Sequence, residues 1–199
     1  MTGDFAPTNL TNHFLIAMPG LNDELFTRSV VYVCEHTARG ALGLVINKPS
    51  TMRMPRLFEK IGLPLENPGL SKAPVFQGGP VQTERGFVLH QPPALSTADT
   101  AEVDYASSMA ISGGLKMTTS KDVLEALSTG AGPKQVMIFL GYSAWTEGQL
   151  EGELARNSWL TVPADQRVIF DTPVADRYEQ AVALLGFESW MLSPDVGHA

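Results

Sequence analysis

One apolar run in the second half of the chain restricts the fold more than any other feature. Residues 134–145, KQVMIFLGYSAW, form an almost continuous series of apolar side chains. Such a run is typical of a strand buried on both faces, whereas a half-buried strand alternates apolar with polar residues. The run is much shorter than the roughly 20 apolar residues that cross a bilayer as a helix. We therefore expect a central strand that other elements cover on both sides.

Other segments predict further strands and two β-hairpins. Residues 29–36 are rich in β-branched and aromatic side chains, and a short turn separates them from a return strand at 41–47. A second hairpin is predicted over 74–93, with a glycine-proline turn between its strands at 75–77 and 86–90. The remaining predicted strands are 13–18, 105–114, 158–164 and 167–171.

Capping residues and apolar stripes predict four helices, over 54–62, 118–130, 147–157 and 172–186. In the second helix, Thr119 and Asp122 have the spacing of a capping box, and Gly130 ends the helix. In the fourth, Thr172 is the expected cap and Pro173 the first helical residue. Because hairpins come first and helices are inserted irregularly, we predict an α+β fold with a mixed, mostly antiparallel sheet.

Length, composition and charge bound the domain organisation and the function. The chain has 199 residues, of which 44% are hydrophobic, so it suits one domain over residues 1–199. Its net charge is −7 and its fourteen Lys and Arg residues are scattered, which disfavours direct DNA binding, since DNA-binding proteins present a basic face. The first ten residues carry an acid and no Lys or Arg, unlike a secretory leader. We expect a cytoplasmic protein without a membrane span.

The only cysteine, Cys34, lies beside a glutamate and near a histidine in RSVVYVCEH. Alternation along a strand places Arg28, Cys34 and His36 on one face and Glu35 on the other. Three roles stay open for Cys34: a buried structural side chain, a reactive thiol whose pKa Arg28 or His36 lowers, or half of a catalytic Cys–His pair. Cys34 and His36 are therefore the candidate catalytic residues.

The sequence LGYSAW resembles the turn that carries the nucleophilic serine of α/β hydrolases. Chain order also permits a triad of Ser143, Asp171 or Asp176, and His198. The second small residue of such a turn is Trp145 here, however, and a tryptophan does not fit where backbone packs against backbone. We expect Ser143 to be structural, in a strand-to-helix turn with Trp145 packed beneath it.

Neither a metal nor a cofactor is expected from the sequence. The four histidines lie in different segments, and HxxH, HExxH and CxxC do not occur. The QGGPV sequence at 77–81 lacks the GK[ST] of a P-loop, and its proline removes one N–H donor. A tight turn is the better interpretation of this glycine-rich segment.

Small and polar residues at strand ends are the candidate binding residues. If the strand ends gather, these residues would line a shallow site, for which the sequence indicates no substrate. They are Arg28, Asn47, Lys48, Gly78, Gly79 and Arg85.

Eight motifs occur in order along the chain: FLIAMP, RSVVYVCEH, GALGLVINKP, VFQGGPV, RGFVLH, GYSAWTEGQLEGEL, NSWL and DVGHA. Together they resemble the AlgH/YqgE family of bacterial proteins, from about residue 10 to the end. Ala144, where the family usually has glycine, and Thr146-Glu147, where it tends to have small residues, depart from the pattern. The resemblance implies a barrel-like or split α+β sheet surrounded by helices, in a cytoplasmic protein with no established enzymatic activity. One branch is labelled a transcriptional regulator through alginate control.

Three classes of function compete at this point. The preferred class is a binding or regulatory protein that acts through contacts with protein partners, as a monomer or weak dimer. The second is a small thiol-dependent or hydrolytic enzyme that uses Cys34. The third is a transcriptional regulator that binds DNA directly, which the net charge disfavours.

Overall fold

The structure, a computed structural model, describes residues 8–92 and 104–192. The strands of these residues are β1 (His13–Ala17), β2 (Val30–Thr37), β3 (Gly40–Val45), β4 (Pro49–Arg53), β5 (Pro74–Gln77), β6 (Val81–His90), β7 (Ser108–Ile111), β8 (Leu115–Thr118), β9 (Val136–Thr146) and β10 (Trp159–Pro163). The helices are α1 (Met54–Lys60), α2 (Pro68–Lys72), α3 (Lys121–Thr129), α4 (Gln149–Ala155), α5 (Gln166–Phe170) and α6 (Arg177–Ala183).

Strand β9 is the centre of the sheet, as the apolar run predicts. Its first half pairs with β6 on one side, antiparallel, and with β5 on the other, parallel. Its second half pairs antiparallel with β3. From β3 the sheet continues through β2 and β1 to β10, and from β6 through β8 to β7, while β4 pairs with β5. The sheet is therefore mixed, mostly antiparallel and curled into a half-barrel.

Helices cover both faces of this sheet, which confirms the predicted α+β fold. A first apolar cluster packs α5 and α6 on one face and includes Phe14, Tyr32, Cys34, Leu44 and Phe139. A second cluster packs α4 on the opposite face and includes Leu15, Val31, Val33, Trp145 and Trp159. A third cluster joins α1, α2 and α3 to β5 and the first half of β9.

The predicted hairpin over 74–93 is wrong, although both of its strands exist. Strand β9 lies between β5 and β6, so these two strands pair with β9 instead of with each other. The chain crosses β9 at Gly78 and Gly79, where the Gly78 N–H donates to the Leu140 carbonyl at 2.9 Å. A Cβ on Gly78 would lie 2.3 Å from the Gly141 carbonyl oxygen. The glycines thus permit a close backbone crossing and do not form a hairpin turn.

The predicted strand at 167–171 is also wrong, because these residues form α5. The Asp165 side chain caps the helix by accepting a hydrogen bond from the Arg167 N–H at 2.9 Å. Val168 and Ile169 pack into the first cluster. A single helical turn has too few residues to display a helical period, so its apolar residues resemble those of a short strand.

Two predicted caps are wrong as well. Helix α3 begins after Ser120, and the Asp122 carboxylate accepts hydrogen bonds from the Ala106 and Val123 N–H groups instead of completing a capping box. The last helix begins as a 3-10 turn at Val174–Asp176, and the Thr172 hydroxyl donates to the Arg167 carbonyl. Strands β4 and β8 and helix α2 are elements that the sequence did not predict.

We predict that Gly141→Ala lowers the free energy of unfolding by roughly 2 to 4 kcal/mol. Gly141 has a φ of +72°, and an added Cβ would lie 2.5 Å from the Gly79 carbonyl oxygen. Urea denaturation followed by circular dichroism measures the loss. The matched control is Gly86→Ala in β6, where a Cβ meets no atom within 4 Å. We expect its stability to be unchanged or slightly raised, and equal stabilities of the two variants would contradict the crossing.

Candidate functional site

Cys34 is buried inside the first cluster, with 2% of its surface exposed. Its thiol lies 3.7 Å from the Tyr32 carbonyl oxygen, to which it donates. Burial raises the pKa of the Cys34 thiol far above its ordinary value, and the nearby Glu35 carboxylate raises it further. The thiol is therefore protonated at neutral pH, which is the state of an inert structural cysteine.

A β-bulge in β2 separates Cys34 from His36, so the prediction that they share a face is wrong. Val33 pairs with Gly43 and Glu35 with Leu42, which leaves Cys34 as the additional residue. The bulge shifts the alternation by one position. His36 consequently lies on the side of the second cluster, opposite Cys34, and the two side chains form no Cys–His pair.

His36 joins β2 to the segment before β1 and to α4. Its Nδ1 accepts a hydrogen bond from the Leu10 N–H at 3.0 Å, so the ring proton is on Nε2. Nε2 donates to the Glu151 carboxylate at 2.8 Å. The pKa of Glu151 is lowered, first by its own backbone N–H and then by His36. Both ring nitrogens of His36 thus have partners that fix the fold.

Ser143 lies within β9, because the strand continues through Thr146 and does not turn at the serine. Ser143 is 1% exposed, and its hydroxyl donates to the Gly78 carbonyl at 3.1 Å. Trp145 is buried in the second cluster, where its Nε1 donates to Glu153 at 2.9 Å. The expected turn is wrong, and His198 lies outside the described residues.

The structure brings three of the strand-end residues together. The Asn47 side chain accepts from the Val30 N–H and donates to the Arg28 carbonyl, and Lys48 Nζ donates to the Leu25 carbonyl at 2.5 Å. Partial burial lowers the pKa of Lys48. The Arg28 guanidinium binds Glu179 at 2.6 Å. The polar groups of these three residues therefore form hydrogen bonds and an ion pair within the protein.

The other strand-end residues lie apart from that group. Gly78 and Gly79 form the crossing with β9, and Arg85 donates to the Gln82 and Thr119 side chains at 3.3 and 3.4 Å. The six candidates therefore do not form one site, and a binding role for any of them stays a prediction.

A pocket that the sequence did not predict lies between β9, the α2–β5 segment and the α5–α6 connection. Its volume is about 340 Å³, at the lower end of the range for small-ligand pockets. Most of the residues that line it are apolar. The lining residues are Met54, Leu70, Ala73, Pro74, Phe76, Val136, Met137, Ile138, Phe170, Asp171, Thr172, Pro173, Val174 and Arg177.

Arg177, at the start of α6, is the unusual residue of this pocket. It is 5% exposed, and among the described residues no carboxylate forms an ion pair with its guanidinium. Nε donates to the Thr172 carbonyl at 3.1 Å, and Nη1 donates to the Ile46 carbonyl at 2.5 Å and contacts Met137 Sδ at 3.8 Å. Its guanidinium carbon lies 5.1 Å from the centre of the Phe76 ring.

Burial lowers the pKa of Arg177 to about 10, which leaves the guanidinium positively charged at neutral pH. Burying a charge without an opposite charge is costly, so such groups are normally paired. The carbonyls and the Phe76 ring stabilise the cation only in part. The pocket therefore combines mostly apolar lining residues with a positive charge that has no ion-pair partner within residues 8–92 and 104–192.

A neighbouring pocket also measures about 340 Å³ and shares Leu70, Ala73 and Val136 with the first. Its charged side chain is Lys134, which is exposed. An exposed lysine is already hydrated and gains little from a ligand. The pocket at Arg177 is for this reason the candidate functional site.

The sequence contains a signal that indicates this site. Arg177 lies three residues after Val174 and four before Ala181, both of which belong to the predicted apolar stripe of the last helix. Residues at these spacings share one face of a helix. An arginine within an apolar stripe indicates a buried cation.

The described residues contain neither a cluster of metal ligands nor a membrane-spanning helix. Within 8–92 and 104–192, no group of three or more His, Cys, Asp or Glu side chains could hold a metal ion. None of the helices in this part of the chain has both the length and the apolar character to cross a bilayer.

Comparison with known proteins gives consistent matches over nearly the whole chain. A family model described as AlgH-like matches residues 14–190. UPF0301 proteins of Albidiferax ferrireducens and Variovorax paradoxus are 69% and 67% identical over 199 residues, which is 100% of each chain. These relatives' names specify no reaction.

Two solved structures resemble the fold. The solution structure of the AlgH protein from Pseudomonas aeruginosa has a TM-score of 0.76 and 44% identity, with 98% of each chain covered. A crystal structure of a Corynebacterium diphtheriae protein has a TM-score of 0.66 and 21% identity, with 86% of this chain and 84% of that one covered. The second likeness concerns the fold alone.

We predict that Cys34 reacts with a disulfide reagent only after unfolding, because the native thiol is buried and protonated. In native protein at pH 8, Ellman's reagent should release no colour over the time in which free cysteine reacts completely. Guanidinium chloride should then expose one thiol per chain, which serves as the internal control. Rapid labelling of the native protein, still fast at pH 6, would contradict the buried assignment.

Proposed function

The chain belongs to the AlgH-like family, and we propose that it is a binding protein that acts through contacts with a protein partner. In this proposal the pocket at Arg177 receives an anionic group of the partner. The protein is cytoplasmic, acts as a monomer or weak dimer, and uses no cofactor.

The buried guanidinium of Arg177 carries this proposal. Its positive charge has no counter-ion among the described residues, and it lines a pocket that is open to a ligand. A ligand anion would compensate a charge whose burial is otherwise costly. Charge-assisted hydrogen bonds of this kind are stronger than neutral ones.

The exposed apolar residues of the described chain support a protein as the partner. The large ones are Leu184, Trp190 and Met191, which are 38%, 69% and 48% exposed. All three lie in the segment that follows α6, the helix that begins with Arg177. Exposed tryptophan and methionine are enriched in protein interfaces.

The competing functions have less support. An enzyme that uses Cys34 would need an accessible thiolate, whereas this thiol is buried and protonated. A protein that binds DNA directly would need a basic face, whereas the net charge is −7. Any effect on transcription would on this proposal be indirect, through the protein partner.

An affinity capture from native bacterial lysate tests the proposal with four baits. They are the wild type, Arg177→Gln, Arg167→Gln and Cys34→Ser. Arg167 is the matched control because its exposed guanidinium pairs with Asp165 and its substitution changes the net charge equally. Circular dichroism melts establish that each bait is folded.

We expect the wild type, Arg167→Gln and Cys34→Ser to retain the same stoichiometric partner. Recovery with Arg177→Gln should fall at least about tenfold, because the anionic group of the partner loses its charged donor. A partner that folded Arg177→Gln retains equally well would contradict the proposal, as would a wild type that captures no partner.

A further inference from the structure

We infer that the anionic group bound at Arg177 is the C-terminal carboxylate of the protein partner, and that the last residue of this partner is apolar. This inference rests on the proposed function. The shared chemistry is the α-carboxylate of an apolar residue. A free amino acid or a short acyl amino acid offers the same chemistry, and the experiment below distinguishes these sources.

The number of available donors favours a carboxylate. A guanidinium has five N–H donors, and those on Nε and Nη1 already face the Thr172 carbonyl, the Ile46 carbonyl and Met137 Sδ. The two N–H groups of Nη2 have no acceptor among the described residues. Ser29 Oγ is the one fully buried side-chain nitrogen or oxygen without a partner in that part of the chain, so Nη2 reaches accessible space.

The charges around the pocket disfavour a phosphate. Arg177 and Asp171 are the charged residues that line it, and the Thr172 hydroxyl is engaged with the Arg167 carbonyl. A phosphate carries about −1.5 to −2 charges at pH 7 and needs several donors. Arg177 is the single cation of the lining and suits a group with one negative charge, while Asp171, which forms no ion pair with Arg177, repels a doubly charged group more strongly.

The rest of the lining indicates an apolar body next to that carboxylate. Phe76, Met137 and Ile138 are each at most 5% exposed and contribute apolar surface to the pocket. The volume of about 340 Å³ suits a terminal residue and not a folded element. Asp171 is exposed and lines the same pocket, where it can accept a hydrogen bond from a backbone N–H of the peptide.

Calorimetric titration of the full chain at pH 7 and constant ionic strength tests the ligand class. The probes are N-acetyl-leucine, N-acetyl-leucinamide, which has the same apolar body without the charge, and inorganic phosphate. We expect N-acetyl-leucine to bind and the other two to bind at least about tenfold more weakly.

Three variants test whether N-acetyl-leucine binds in the pocket at Arg177. Arg177→Gln should lower the affinity for N-acetyl-leucine at least about tenfold, whereas Arg167→Gln should leave this affinity unchanged. Val174→Phe, at a residue that lines this pocket and not the neighbouring one, keeps the guanidinium but fills part of the pocket, so it should also weaken binding. This second variant decides the question if Arg177→Gln fails to fold. Unchanged affinity in a folded Arg177→Gln would overturn the inference, as would unchanged affinity in Val174→Phe if Arg177→Gln does not fold.

The remaining outcomes separate this inference from the proposed function. Phosphate that binds through Arg177 in place of N-acetyl-leucine would overturn the carboxylate and leave an anion-binding protein. If none of the probes binds, the carboxylate is overturned, while the affinity capture judges the proposed function on its own.

Peptides that end in leucine test whether the bound carboxylate belongs to a protein C-terminus or to a free amino acid. A hexapeptide with a free C-terminus should bind at least as tightly as N-acetyl-leucine, and its C-terminal amide at least about tenfold more weakly. Free leucine that binds more tightly than the peptide would overturn the protein partner and identify a free amino acid as the ligand.

Discussion

The fold depends on one strand that several others share. β9 pairs with β5 and β6 along its first half and with β3 along its second. This sharing requires the chain between β5 and β6 to cross β9 at van der Waals distance, which Gly78, Gly79 and Gly141 permit because they have no side chains. The Ser143 hydroxyl then fastens the crossing by donating to the Gly78 carbonyl.

The candidate site is a consequence of that arrangement. Because β5 lies beside β9, the end of α2 and the first residues of β9 form one wall of the pocket, and the α5–α6 connection forms another. Arg177 connects the α5–α6 connection to the sheet by donating to the Thr172 carbonyl before α6 and to the Ile46 carbonyl after β3. The same guanidinium therefore stabilises the fold and supplies the charge of the site.

The sequence predicts the parts of this structure that follow from local periodicity. The apolar run at 134–145 identifies the central strand, and the stripe that contains Tyr178 and Val182 identifies the last helix. A glycine-proline segment, however, forms a turn or a crossing equally well, and only the long-range pairing of β9 decides between them. The bulge at Cys34 likewise shifts the alternation by one residue without a signal in the side chains themselves. Capping residues show the same limit, since a cap is recognised only once its helix is known. Asp165 caps a helix that the sequence did not predict, and Thr172, the predicted cap of the last helix, donates to the Arg167 carbonyl instead.

The proposed function requires a ligand carboxylate to supply the counter-ion that Arg177 does not find among the residues the structure describes. A crystal structure of the full chain with a bound peptide that ends in leucine tests it most directly. We expect a terminal carboxylate oxygen within about 2.7 to 2.9 Å of Arg177 Nη2, with the leucine side chain against Phe76 and Ile138. A structure in which Arg177 instead pairs with a carboxylate of the protein itself, such as Asp171, and the peptide lies elsewhere would contradict it.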